Sequence, residues 1–111
     1  MSVSGAFIQL GNTVTFTAAT TAPTPVKVPT WNGFGVSQYE VFNPSNVTVF
    51  IGYGPAAANA TANAVVVSST SPAYPLLPGT DKIISAGPNA YFTGITAAGS
   101  ATIYVTPGDG M

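Results

Sequence analysis

Residues 36–53 read VSQYEVFNPSNVTVFIGY, and the alternation in this stretch decides the class of fold. Before the turn, Tyr39 and Val41 fall on one side of an extended chain, with Gln38, Glu40 and Phe42 on the other. After it, Val47, Val49 and Ile51 alternate with Thr48 and Phe50. The residues between are turn formers, each for its own reason. Asn43 is held in the β region by the proline that follows, Pro44 and Ser45 suit a type I turn, and Asn46 tolerates the left-handed position. A three-residue loop at 44–46 predicts a hairpin that pairs Val41 with Val49 and Tyr39 with Ile51. A two-residue loop would mix apolar and polar sides, so the pattern selects the longer one.

The same reading extends to both ends of the chain. Gly11-Asn12 between AFIQL and TVTFT predicts a tight hairpin with Phe7 opposite Phe16 and Gln9 opposite Val14. Ala97-Ala98-Gly99 between YFTGIT and SATIYVT predicts a third hairpin, with Gly99 in the left-handed bulge position, Thr93 facing Ile103 and Tyr91 facing Val105. This register puts Tyr91, Ile95, Ala101, Ile103 and Val105 on a dry face, and Phe92, Thr96, Ser100, Thr102 and Tyr104 on a polar one.

Short runs of this kind recur between Gly, Pro, Asn and Ser punctuation at 6–10, 13–17, 26–28, 36–43, 47–53, 64–68, 82–85, 90–96 and 100–106. Val, Ile and Thr total 33 residues against five Leu and Met, and β-branched side chains suit a pleated surface better than a helix. The expected fold is all-β: one antiparallel β-sandwich over residues 1–111, jelly-roll or Greek-key-like, with eight or nine short strands. The Ala-rich piece PAAANATANA at 55–64 carries helix-favouring Ala against Asn and Thr, and reads as a long loop over 54–63 with at most one helical turn. Glycine and proline total 22 residues, yet 46% of the chain is hydrophobic, which disordered segments do not sustain.

The charge inventory excludes more functions than it identifies. Lys27, Lys82, Glu40, Asp81 and Asp109 are the only ionised side chains, the net charge is −1, and there is no His, Cys or Arg. Two separated lysines cannot neutralise several phosphates, so no nucleic-acid partner is expected. Without Cys or His the usual transition-metal, haem and iron–sulfur sites cannot be assembled, and the three acids are too scattered in sequence for a calcium site, so no metal or cofactor is expected. Histidine-based catalysis is excluded, and a carboxylate pair or a Lys82–Ser85 arrangement has no flanking motif, so the chain does not read as an enzyme. The N-terminus lacks a signal-peptide pattern, and the uncharged stretch 41–80 is broken by five prolines, so no membrane segment is expected.

A freely soluble small domain shows about 25–35% charged residues on its surface, whereas only 5% of this chain is charged. Thirty-one Ser, Thr and Asn can hydrate it, but the composition suits a subunit among neighbours better than a diffusing enzyme. Six aromatics are candidate interface anchors. Phe42, Phe50, Phe92 and Tyr104 fall on the polar sides of their strands, and Trp31 and Phe34 flank the Asn32-Gly33 turn. Loops or a second sheet covering them within the monomer is the competing reading. For Trp31 and Phe34 a sugar-stacking tip is another.

Residues 39–54 (YEVFNPSNVTVFIGYG) and 74–111 (YPLLPGTDKIISAGPNAYFTGITAAGSATIYVTPGDGM), separated by the Ala-rich insert, carry in order an N-P turn, a Gly-terminated strand, L-P-G-T, N-A-Y and a terminal T-P-G-D-G. In this combination the chain resembles small virion-associated proteins of tailed bacteriophages, over roughly two thirds of its length. The resemblance implies a β-sandwich protein on the capsid exterior, a cement (decoration) or other minor head protein whose partner is the major capsid protein. It supplies no catalytic residues, and it does not reach residues 1–35, which leaves Trp31 and Phe34 outside it. A cement role leads to the expectation of a homo-oligomer, a trimer at local three-fold positions ahead of a dimer. A carbohydrate-binding or host-adhesion module and a head–tail connector or tail component are the alternatives.

Overall fold

The computed structural model describes residues 7–31, 38–65, 72–87 and 89–110. Nine strands lie among them: β1 (Phe7–Gln9), β2 (Val14–Ala18), β3 (Val26–Lys27), β4 (Gln38–Asn43), β5 (Val49–Gly54), β6 (Tyr74–Leu76), β7 (Thr80–Ser85), β8 (Tyr91–Ile95) and β9 (Ala101–Gly110). One helix, α1 (Ala57–Asn63), follows β5. Among the described residues no helix is long and apolar enough to cross a membrane.

The strands form two antiparallel sheets, β2-β9-β4-β7 and β3-β8-β5-β6, with β1 extending the β2 edge along β9. Strand β2 pairs with β9, β3 with β8, β4 with β7 and β5 with β6, as in one long antiparallel ribbon, and the β4–β9 and β5–β8 pairings roll that ribbon up. This is the jelly-roll order, and the expected all-β sandwich is the fold. After Ala18 the chain leaves its sheet: Ala19 forms a parallel bridge to Ile95, closing one side of the sandwich.

The sheets bury the side chains that alternation assigns to the inside. Tyr39, Val41, Val49, Ile51, Ile103 and Val105 are all fully buried, joined by Phe16, Val28, Leu76 and Ile84. The Tyr39 hydroxyl donates to the Gly87 carbonyl at 2.7 Å and accepts from the Ala90 amide at 3.1 Å, so its polar tip is satisfied while its ring packs 5.1 Å from Phe92. Desolvation pushes the Tyr39 phenol above its ordinary pKa, partly offset by backbone hydrogen bonds at Ala90 and Asn89.

None of the three expected hairpins forms. Asn43-Pro44-Ser45-Asn46 turns the chain, but β4 and β5 belong to different sheets, so the turn is an arch across the sandwich. Buried Asn43 holds that arch: its amide donates to the carbonyls of Val47 (2.8 Å) and Leu76 (3.1 Å), and its oxygen accepts from the Ser45 hydroxyl (2.6 Å). Gly99 does adopt the left-handed conformation (φ 79°), again in an arch, with the Thr96 hydroxyl donating to the Gly99 carbonyl at 2.7 Å. At Gly11-Asn12 the chain does not reverse. Strands β1 and β2 both run antiparallel to β9, with residues 10–13 bulging opposite 106–107.

The sheet assignment of β8 also overturns the expected facing of Phe92. Its strand pairs with β5, Phe92 opposite Tyr53, and that register turns Phe92 into the core, fully buried and stacked 5.6 Å from Tyr53. Tyr91 takes the opposite face. Phe92 is therefore a core residue and not a surface anchor.

The Ala-rich piece expected as a loop over 54–63 contains a two-turn helix instead. Seven residues are too few for a stable isolated helix, so packing must supply the difference. Ala60 and Ala64 are buried against the outer face of β5, where Gly52 leaves the space: a Cβ there would collide with the Ala60 carbonyl and the Ala64 amide. The Asn63 amide ties the helix end to the Tyr53 carbonyl at 3.1 Å. The strand expected at 64–68 does not form at Ala64 or Val65, and its remaining residues lie outside those described. Strand β6, with Pro75 inside it, was not legible as a strand, and its edge position explains why the missing amide is tolerated.

Candidate interaction site

Alternation leaves Gln38, Glu40 and Phe42 of β4 on the outer face of the first sheet, and cross-strand register determines their neighbours. One row runs Thr15, Tyr104, Phe42, Asp81 across β2, β9, β4 and β7. The adjacent row runs Thr106, Glu40, Ile83, with Thr13 joined to it by a 2.7 Å hydrogen bond between the Thr13 and Thr106 hydroxyls. Strands β4 and β9 thus bring Phe42 beside Tyr104, ring centroids 6.3 Å apart and planes 24° from parallel.

Thr13, Glu40, Phe42, Asp81, Tyr104 and Thr106 line an open groove of about 380 Å³. Phe42 (39%), Tyr104 (38%) and neighbouring Ile83 (47%) remain exposed to solvent. Glu40 and Asp81, expected to be scattered, meet here in hydrogen-bonding contact. The shared hydrogen bond, partial burial and the repulsion of Asp81 together hold the Glu40 carboxyl above its ordinary pKa.

The groove presents an aromatic pair, hydroxyls and two neighbouring carboxyls. Among the described residues no three acidic or other metal-ligating side chains converge.

The six aromatics expected as anchors are dispersed. Phe42 and Tyr104 come together. Phe50 is half-buried on the outer face of the other sheet, opposite Ile95 and Pro75. Trp31 is exposed (44%) beside the β1–β2 bulge, its indole donating to the Asn12 side chain at 2.8 Å and its backbone amide to the Leu10 carbonyl at 2.8 Å. Phe34 lies outside the described residues, so the Trp31–Phe34 tip has no structural account.

Sequence reading missed Glu40, Asp81, Thr13 and Thr106 as site residues. Alternation already put Glu40 and Phe42 on one side. Asp81 escaped because the expected strand began one residue later, at Lys82, whereas β7 starts at Thr80. Comparison of the chain with protein-family models, with curated proteins and with solved structures found no match.

Proposed function

We propose that this protein is a structural component of a tailed-bacteriophage particle, a decoration protein that seats on the major capsid protein lattice at the virion exterior and has no catalytic role. The observation that carries this reading is an exterior nearly devoid of charge, with Phe42, Tyr104 and Ile83 exposed together on one sheet face. Interface cores are depleted in charge and enriched in such aromatics. The ordered motifs by which the sequence resembles small virion proteins point the same way. The mechanism is mass action: contacts made only with the assembled shell stabilise that shell, and repetition over many sites sums modest affinities. A homo-oligomer, a trimer ahead of a dimer, suits the lattice symmetry.

The test is copy number and position in intact particles, with Phe42→Ala as the variant. Many copies per head and loss of attachment by a folded variant support the proposal. A few copies at the portal vertex would make it a connector or tail component.

A carbohydrate-binding module is the second reading. The groove favours it, with an aromatic pair beside carboxyl and hydroxyl groups. Glycan-array binding lost in Phe42→Ala, without attachment to the shell, would establish it.

A further inference from the structure

We infer that the groove between Glu40, Asp81, Phe42 and Tyr104 receives an arginine side chain of the protein on which this sheet face docks. The inference rests on the docking reading and names the chemistry of its partner.

Charge placement is the first argument. Two of the three acids in the whole chain sit side by side in this groove. Both lysines are elsewhere: Lys27 is on β3 of the other sheet, and Lys82 is opposite Val41, on the core-facing side of the β7 edge. Tyr104 is the remaining titratable group lining the groove. Among the described residues no lysine lines the groove that holds the two carboxyls.

Docking sharpens this imbalance. A wholly apolar partner would bury the acidic pair without compensation, whereas a cation placed between the carboxyls converts their repulsion into attraction. Repulsion by Asp81 is one cause of the raised Glu40 pKa, after their hydrogen bond and burial.

The aromatic pair selects among cations. A guanidinium is planar and weakly hydrated, stacks on aromatic faces, and donates several hydrogen bonds to carboxylates at once. An ammonium is compact and strongly hydrated, and does not exploit Phe42 to the same extent. A divalent metal ion would find only two carboxylates among the described residues. A neutral sugar would stack on the rings but leave the like charges unrelieved.

The experiment is a two-dimensional NMR titration of the intact protein at low ionic strength with N-acetyl-arginine amide, alongside the N-acetyl-lysine, N-acetyl-citrulline and methyl glucoside counterparts and calcium chloride. The expected result is a saturable shift at residues 40–42, 81 and 104 with the arginine probe. Lysine should bind at least about fivefold more weakly and citrulline negligibly. Affinity should fall about tenfold in Glu40→Gln/Asp81→Asn, which removes charge without changing shape.

An absent shift, an equal response to lysine, citrulline, glucoside or calcium, or undiminished binding by the Gln/Asn variant overturns the inference. Particle attachment separates the two claims. If Phe42→Ala fails to attach but the Gln/Asn variant attaches normally, docking stands and the arginine contact falls. If both attach normally, the docking reading itself fails.

Discussion

The outer faces of the two sheets are built alike and finished differently. On the sheet that contains β5, the outer positions are Phe50, Gly52 and Gly54, and the chain folds α1 down onto the glycines. On the sheet that contains β4, the outer positions are Gln38, Glu40 and Phe42, and Phe42 remains exposed beside Tyr104. Removing side chains made room for a helix on one face, while the other kept large side chains and, among the described residues, carries no helix. The covered face belongs to folding, and the proposed docking falls to the face where Phe42, Tyr104 and Ile83 are exposed.

That contrast can be broken at several points, beginning with the side it assigns to folding. Phe92, the core ring beneath the covered sheet, should cost about 3–5 kcal/mol when changed to Ala, measured by chemical denaturation. Gly52→Val would drive a branched side chain into the α1 backbone, and should cost about 2–3 kcal/mol with a loss of helical circular dichroism. An unchanged stability would mean that α1 is not needed to finish that face.

On the open side the expectation reverses. Phe42→Ala should change stability by no more than about 1 kcal/mol, because the ring is already partly in water, while particle attachment falls markedly. Destabilisation comparable to that of Phe92→Ala would place Phe42 in the folding core and erase the contrast.

The smallest effect is a dependence on pH. Glu40 binds its proton more tightly in the folded than in the unfolded chain. Its contribution to stability is present below the ordinary glutamate range and is lost as pH rises through its higher native pKa. The thermal midpoint of the wild type should therefore decline over that window relative to Asp81→Ala, which removes both the shared hydrogen bond and the repulsion. A parallel decline in both proteins would show that the pair is not coupled.

Much of the fold was readable because strand side chains alternate with period two. That periodicity alone assigns Tyr39, Val41, Val49, Ile51, Ile103 and Val105 to the interior and Phe42 and Tyr104 to the exterior, and the structure agrees. It fails at Phe92, where facing was inferred from a partner strand that belongs to the other sheet. The site was half readable in the same way: Glu40 and Phe42 share a face by local pattern, but Asp81 reaches them only through the β4–β7 pairing.

The amino-acid order by itself determined where the chain extends, where it turns and which side of each strand is apolar, because these depend on neighbouring residues and their backbone preferences. Which sheet the strand after each turn joins was decided by the tertiary structure. An Asn-Pro-Ser-Asn or Ala-Ala-Gly turn can close a hairpin or arch across a core, and the choice depends on burying both apolar faces at once. The meeting of Glu40 with Asp81, forty-one positions apart, and the folding of α1 over Gly52 follow from that packing, which no local segment encodes.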